Sequence, residues 1–139
     1  MSTAPAEGGC LCGRVRFRAS SEPIWVSYCH CKDCRKATGA PVVVFVGFAG
    51  SDIEMMGEAA TSYVSSPGIK RTFCPRCGSP LSYEDGRLSG EIYFHIGNFD
   101  APERFKPARH GWTSHALSWL HIGDDLPRHE RFSRPRPGR

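Results

Sequence analysis

Phe73-Cys74-Pro75-Arg76-Cys77-Gly78 reads as a tight turn that presents two thiolates to a metal. Two cysteines separated by two residues, with proline inside the turn and glycine after it, make a zinc knuckle. The glycine supplies a backbone angle that other residues resist, and the turn's N–H groups can point at the sulfurs. Two thiolates are half of what a tetrahedral zinc requires. The other ligands of such an ion must come from elsewhere in the chain.

Cys10-Leu11-Cys12, followed by Gly13, offers a second pair. In extended chain, residues two apart point to the same side, so both sulfurs can reach one ion. Cys29-His30-Cys31-Lys32-Asp33-Cys34 offers three more. Cys31 and Cys34 share a face if a short helix begins there, and a helix N-terminus favours thiolate over thiol. Spacing alone leaves open whether Cys10 and Cys12 join Cys74 and Cys77 or the middle trio. The chain has seven cysteines, an odd count that fits poorly with complete disulfide pairing. They fall in turns rich in glycine and proline rather than in apolar runs, which favours metal over buried free thiols. Iron bound by four cysteines uses similar knuckles. Zinc is favoured because tetrahedral thiolate sites accept it and nothing in the sequence points to electron transfer.

Around these turns the chain reads as many short strands. Residues 13–19 alternate Val15 and Phe17 with arginines, the pattern of a half-exposed strand. Residues 24–28 are β-branched and aromatic, and residues 41–48 are continuously apolar, as in a central strand. Residues 62–65, 69–73, 81–83 and 91–96 are further strands, most of them separated by Gly or Pro. The spacing predicts one helix over residues 32–38, ended by Gly39. After Asp100 the pattern loosens, and Trp112, Trp119, Ile122 and Leu126 are expected to pin an irregular segment to the core. The fold class is mainly β and antiparallel, in one domain.

The formal charge is +4, and residues 128–139 alone carry five Arg and one Glu. The remaining 13 basic and 13 acidic residues balance. A neutral body argues against a nucleic-acid surface, and the tail reads as a solvated end. No segment approaches the ~20 apolar residues of a membrane span. The opening residues show no basic region followed by an apolar run, so a secretory leader is not expected. A cytoplasmic location follows, where seven cysteines are not expected as disulfides.

Four thiolates close a zinc, whereas three leave a position free, as catalytic zinc sites do. A zinc held by three thiolates is a weak Lewis acid toward water but suits a soft ligand such as a substrate thiol. The corresponding reaction class is addition of a thiol to a small carbonyl, or cleavage of the C–S bond so formed. Deaminase chemistry is excluded because no Cys- or His-x-Glu element accompanies a Pro-Cys-x-x-Cys; Pro75 lies inside the CxxC. The zinc-protease motif HExxH is also missing. The competing reading is a non-catalytic module with two structural zincs and a protein partner.

The segments Gly9-Cys10-Leu11-Cys12-Gly13, Cys29 through Gly39, and Arg71 through Gly78 resemble, in order and spacing, the glutathione-dependent formaldehyde-activating enzyme family. Asp124-Asp125-Leu126-Pro127 resembles that family's usual close. The resemblance implies a tent-like antiparallel β fold of short strands with zinc knuckles and one short helix. It implies two zinc ions per chain: a structural one on Cys10, Cys12, Cys74 and Cys77, and a catalytic one on Cys29, Cys31 and Cys34. It further implies a carbon–sulfur lyase acting on a thiol–aldehyde adduct such as S-(hydroxymethyl)glutathione, with a small thiol such as glutathione as partner. The expected organisation is a disordered N-terminus over 1–7, one zinc-binding domain over 8–132, and a basic disordered tail over 133–139.

Among other residues, His30 is expected to face away from the metal, because its neighbours face toward it. Arg35, Lys36 and Arg71 are candidates to grip carboxylates of a peptide-like thiol. Asp33 is expected to support the helix. His95, His110, His115 and His121 are candidates to border the open site.

Overall fold

The computed structural model describes residues 4–137. It is mainly β, with strands in two sheets and one α-helix among the described residues. Strands β1 (Ala6–Gly9), β2 (Val15–Ala19) and β5 (Ile53–Gly57) form a three-stranded antiparallel sheet in the order β1-β2-β5. The larger sheet contains β3 (Trp25–Cys29), β4 (Val43–Ala49), β6 (Thr61–Ser66), β7 (Ile69–Phe73), β8 (Pro80–Asp85), β9 (Glu91–His95) and β10 (His110–Gly111). Its order is β10-β3-β4-β9-β8-β7-β6, antiparallel except where β10 runs parallel to β3. Helix α1 (Lys32–Thr38) follows β3.

The alternation read in residues 13–19 places Val15, Phe17 and Ala19 in the interior. The intervening arginines turn outward to carboxylates, Arg16 to Asp100 and Arg18 to Glu7. The continuous apolar run becomes β4, with neighbours on both edges and Val46 and Phe48 fully buried. Phe17, Val46, Phe48, Phe94, Phe99 and Phe105 make one core cluster. Phe17 and Phe94 stack at 3.9 Å. A second cluster joins Trp25, Phe45, Tyr83 and Tyr93 to Cys34 of the helix. Gly47 makes that packing possible: a Cβ there would lie 2.8 Å from the Tyr93 ring and 3.2 Å from Trp25.

Helix α1 ends where expected. Gly39 adopts the left-handed conformation (φ 79°) and its N–H closes on the Arg35 carbonyl.

Three expectations require correction. The N-terminus is ordered at Ala6 and Glu7, which belong to β1 because β2 offers an edge to pair with and Arg18 binds Glu7; residues 1–3 lie outside the described residues. Ser133 and Arg136 are buried, and Arg136 meets a carboxylate, Asp85, that a solvated tail would not reach. Gly138 and Arg139 lie outside the described residues. Trp119 is 66% exposed and does not pin the late segment. That role falls to hydrogen bonds between residues 110–114 and 127–131, such as Trp112 N–H to the Arg131 carbonyl at 2.7 Å.

Candidate functional site: two cysteine centres

The first centre lies between two turns. Cys10 and Cys12 follow β1, where Gly13 N–H returns to the Cys10 carbonyl. Cys74 and Cys77 follow β7, where Gly78, at φ 76°, returns its N–H to the Cys74 carbonyl. The four sulfurs all lie within 4.8 Å of one another. Cys10 and Cys12 are 3.5 Å apart, and Cys12 and Cys74 are 3.8 Å apart. A tetrahedron with Zn–S bonds of ~2.3 Å has sulfur–sulfur edges of roughly 3.8 Å, so the donors are already spaced for the metal. Backbone N–H groups of Arg76 and Cys77 donate to the Cys74 sulfur at 3.4 Å, and that of Val15 to the Cys10 sulfur at 3.3 Å.

Electrostatics agree with this reading. The hydroxyl and N–H of Ser79 pull the Cys77 thiol down to about 5. Cys12 is pushed up to about 11: the Arg14 N–H favours its thiolate, but burial and the sulfurs of Cys10, Cys77 and Cys74 prevail. Four thiolates this close repel one another, and a divalent cation relieves that repulsion. The donor set therefore fits a closed zinc.

The second centre is looser. Cys29 ends β3, Cys31 is the N-cap of α1, and Cys34 lies in its first turns. The Cys29 and Cys34 sulfurs are 3.8 Å apart. All three cysteines border one cavity of about 140 Å³. Among the described residues only the first centre has its ligand atoms all within 4.8 Å of one another. Cys29, and N–H groups of Cys34 and Asp33, draw the Cys31 thiol well below its ordinary range. Cys34 is pushed up to about 11: Cys29 favours its thiolate, but Cys31 and burial prevail. One sulfur–sulfur edge of 3.8 Å and the all-sulfur donors suit a thiophilic metal, but the three sulfurs are not gathered as closely as those of the first centre.

The other predicted residues divide clearly. Arg71, on β7 and 6% exposed, borders the cavity. Its Nη1 and Nη2 lie 3.9 and 3.7 Å from the Cys34 sulfur, and its guanidinium lies over the Tyr83 ring. Asp33 is exposed at the cavity rim. Arg35 is occupied elsewhere, donating to the carbonyls of His30 and His115, and Lys36 is exposed. His30 is buried and turns from the cavity, its Nε2 2.9 Å from His110 Nδ1. His110 Nε2 in turn meets Asp124 at 3.0 Å. Burial, then the charges of His110, Arg128 and Arg35, lower His30 to about 4, so it is neutral at physiological pH. His95 points to the Leu81 carbonyl, His115 stacks on Trp112, and His121 is exposed; none of these borders the cavity.

Sequence reasoning missed most of the wall. Trp25, Tyr83 and Tyr93 come from three strands of the larger sheet, and Arg87 from the turn after β8. Phe132, Ser133 and Arg136 come from the C-terminal segment. Strand alternation marks the aromatic residues as inward-facing, but no local pattern marks Arg136.

Comparison with known proteins follows the same lines. The profile of the family described as glutathione-dependent formaldehyde-activating enzyme matches residues 5–115. A Halomonas elongata protein provisionally named for that same activity is 36% identical over 134 residues, covering 84% of this chain and 80% of its own. A Schizosaccharomyces pombe protein named as an uncharacterized lyase is 32% identical over 83 residues, covering 58% of this chain and 60% of its own. A solved structure of a Rhodobacter sphaeroides protein superposes with a TM-score of 0.53 at 20% identity, over 88% of this chain and 98% of that one, a likeness of fold.

Proposed function

Because this chain belongs to the glutathione-dependent formaldehyde-activating enzyme family, we propose that it joins a small thiol to a small aldehyde such as formaldehyde, and catalyses the reverse cleavage. Glutathione is the thiol that the family description suggests. The observation that carries the reading is the division of the cysteines: four closed into one cluster, three around a cavity that a small molecule can enter.

Cys10, Cys12, Cys74 and Cys77 would hold a structural zinc, and Cys29, Cys31 and Cys34 a catalytic one. Zinc bound to the trio supplies a positive centre that keeps a sulfur ligand deprotonated at neutral pH. Around it, Arg71 donates toward the Cys34 sulfur and fixes its orientation. The aromatic wall of Trp25, Tyr83 and Tyr93 excludes water from the reacting atoms. Tyr83 is pushed up to about 12, chiefly by burial. Its hydroxyl accepts from Arg136, so its own proton remains available to a developing alkoxide. In the forward direction the substrate sulfur forms a bond to the carbonyl carbon. The C=O π pair moves to oxygen, and the proton lost by the thiol is recovered there, giving a hemithioacetal. No oxidant or reductant is consumed.

The alternative of two structural zincs requires a fourth protein donor at the trio. The residues bordering the cavity beside the trio include one further carboxylate, Asp33, which is exposed at the rim, and no histidine. The test is thiol-dependent consumption of formaldehyde by zinc-loaded protein. Wild type is expected to exceed the buffer rate and Cys31→Ala to return to it. Equal rates for both, at the buffer value, would remove the reading.

A further inference from the structure

The cavity wall carries guanidinium donors left unused by the acceptors around it, which are Asp85, the rim carboxylate Asp33 and the cysteine sulfurs. Three guanidiniums line it, those of Arg71, Arg87 and Arg136. One buried carboxylate, Asp85, serves two of them: Arg87 Nη2 at 2.8 Å and Arg136 Nε at 3.0 Å. Arg71 has no carboxylate partner among the described residues; it meets the Ser65 hydroxyl, the Cys34 sulfur and the Tyr83 ring. Arg87 Nη1 is a buried donor with no partner. A guanidinium carries five N–H donors. Arg136 uses one on Asp85, one on the Arg134 carbonyl and one on the Tyr83 hydroxyl, so two remain. Arg136 itself is 6% exposed, in an ordered segment whose Phe132 ring packs edge-on against Trp112.

A buried excess of unpaired guanidinium donors facing a cavity is a site for an anion. Arginine's planar fork matches a carboxylate in particular. We propose that Arg136, together with Arg87, selects a thiol substrate bearing a carboxylate, which the two residues hold while the sulfur reaches the cysteine trio. Arg136 lies in the C-terminal segment, beyond the family-matched residues 5–115. The inference rests on the thiol–aldehyde reading for the identity of the ligand, whereas the anion site rests on the arginines alone.

The experiment separates the two. Zinc-loaded wild type, Arg136→Gln and Arg87→Gln are assayed with formaldehyde and either 3-mercaptopropionate or its neutral amide. Wild type is expected to favour the acid by tenfold or more in kcat/KM. Each variant is expected to reduce that ratio about tenfold, the loss of one charge-assisted hydrogen bond, with the change carried in KM. A merely structural role would lower both thiols together and leave the ratio intact, and an unchanged ratio in both variants overturns the proposal. In parallel, calorimetry with 3-(methylthio)propionate, which has no thiol to react, reads the anion site without turnover. Binding by wild type that weakens about tenfold in the variants supports the site even if no thiol is turned over. Absence of wild-type binding, or equal binding by all three proteins, sinks it. Should Arg136→Gln fail to fold, Arg87→Gln decides alone, because Arg136 still pairs with Asp85 in that variant.

Discussion

Replacing Cys74 with serine should unfold the protein far more readily than replacing Cys31 with alanine. Cys74 is fully buried, beside Val15 and Leu81, and two backbone N–H groups are committed to its sulfur. Structural zinc in small zinc-dependent peptides contributes about 10–16 kcal/mol of apparent binding free energy. One ligand of four then corresponds to roughly 3–4 kcal/mol. In a chain of 139 residues each kcal/mol moves the melting temperature by ~3–5 °C. Cys74→Ser is therefore expected to melt roughly 10 °C or more below wild type. Cys31 is only half-buried at the N-terminus of a seven-residue helix, so Cys31→Ala should cost about 1 kcal/mol and shift the melt by under ~5 °C. The assay is scanning calorimetry of zinc-loaded protein, with metal content per chain measured on the same samples. Wild type treated with a strong chelator should approach the Cys74→Ser melt. Equal shifts would refute the division into a closed and an open centre, and reversed severities would show the two to be exchanged.

Two further outcomes test the walls of the cavity. The side chain of Asp85 is 1% exposed, and its carboxyl is held down to about 2; burial opposes this, and hydrogen bonds from Arg87 and Arg136 outweigh it. From an ordinary value of 3.8, the depression corresponds to ~1–2 kcal/mol after allowance for solvent screening. That stability is present above the unfolded carboxyl's range and is lost as pH falls toward 2. Asp85→Asn should accordingly lower the urea midpoint at pH 7, with a difference from wild type that narrows by pH 3; a constant difference would contradict the ion pairs. Gly47→Ala should destabilise by ~1–3 kcal/mol in urea, because the new methyl meets the rings of Tyr93 and Trp25. Gly123→Ala, where a Cβ meets nothing within 4 Å, serves as the neutral control.

Local signals carried the sequence reading a long way. Alternation in β2, the apolar run of β4, the helix ended by Gly39 and the two glycine-followed cysteine turns are each decided within a few residues, so each was legible. The four-sulfur cluster was legible as a sum of pairs but not as a partition, since Cys12 and Cys74 meet across 62 positions of chain. β5 escaped because Glu54, Met55 and Gly57 are exposed and leave no inward stripe. β1 escaped because two of its four residues are glycine, which carries no hydropathic signal. The C-terminal segment escaped for a different reason. Five arginines among prolines look like a solvated end, and only the fold reveals a buried carboxylate waiting 51 positions upstream. His30 was read correctly as facing away, but its chain to His110 and Asp124 depends on the parallel pairing of β10 with β3, which no local pattern announces.

The placement of Phe132, Ser133 and Arg136 against the cavity separates recognition from reactivity along the polypeptide. Cys10, Cys12, Cys74 and Cys77 reside on turns whose closure the first centre depends on, where change is expected to destabilise the fold. The late segment touches the same chamber through one aromatic ring, one hydroxyl and one guanidinium, whose polar contacts go to Ser27, Asp85 and Tyr83 rather than to a sulfur. Under the proposed function, exchanging those few side chains is a route to a different thiol preference that leaves the cysteine positions unchanged.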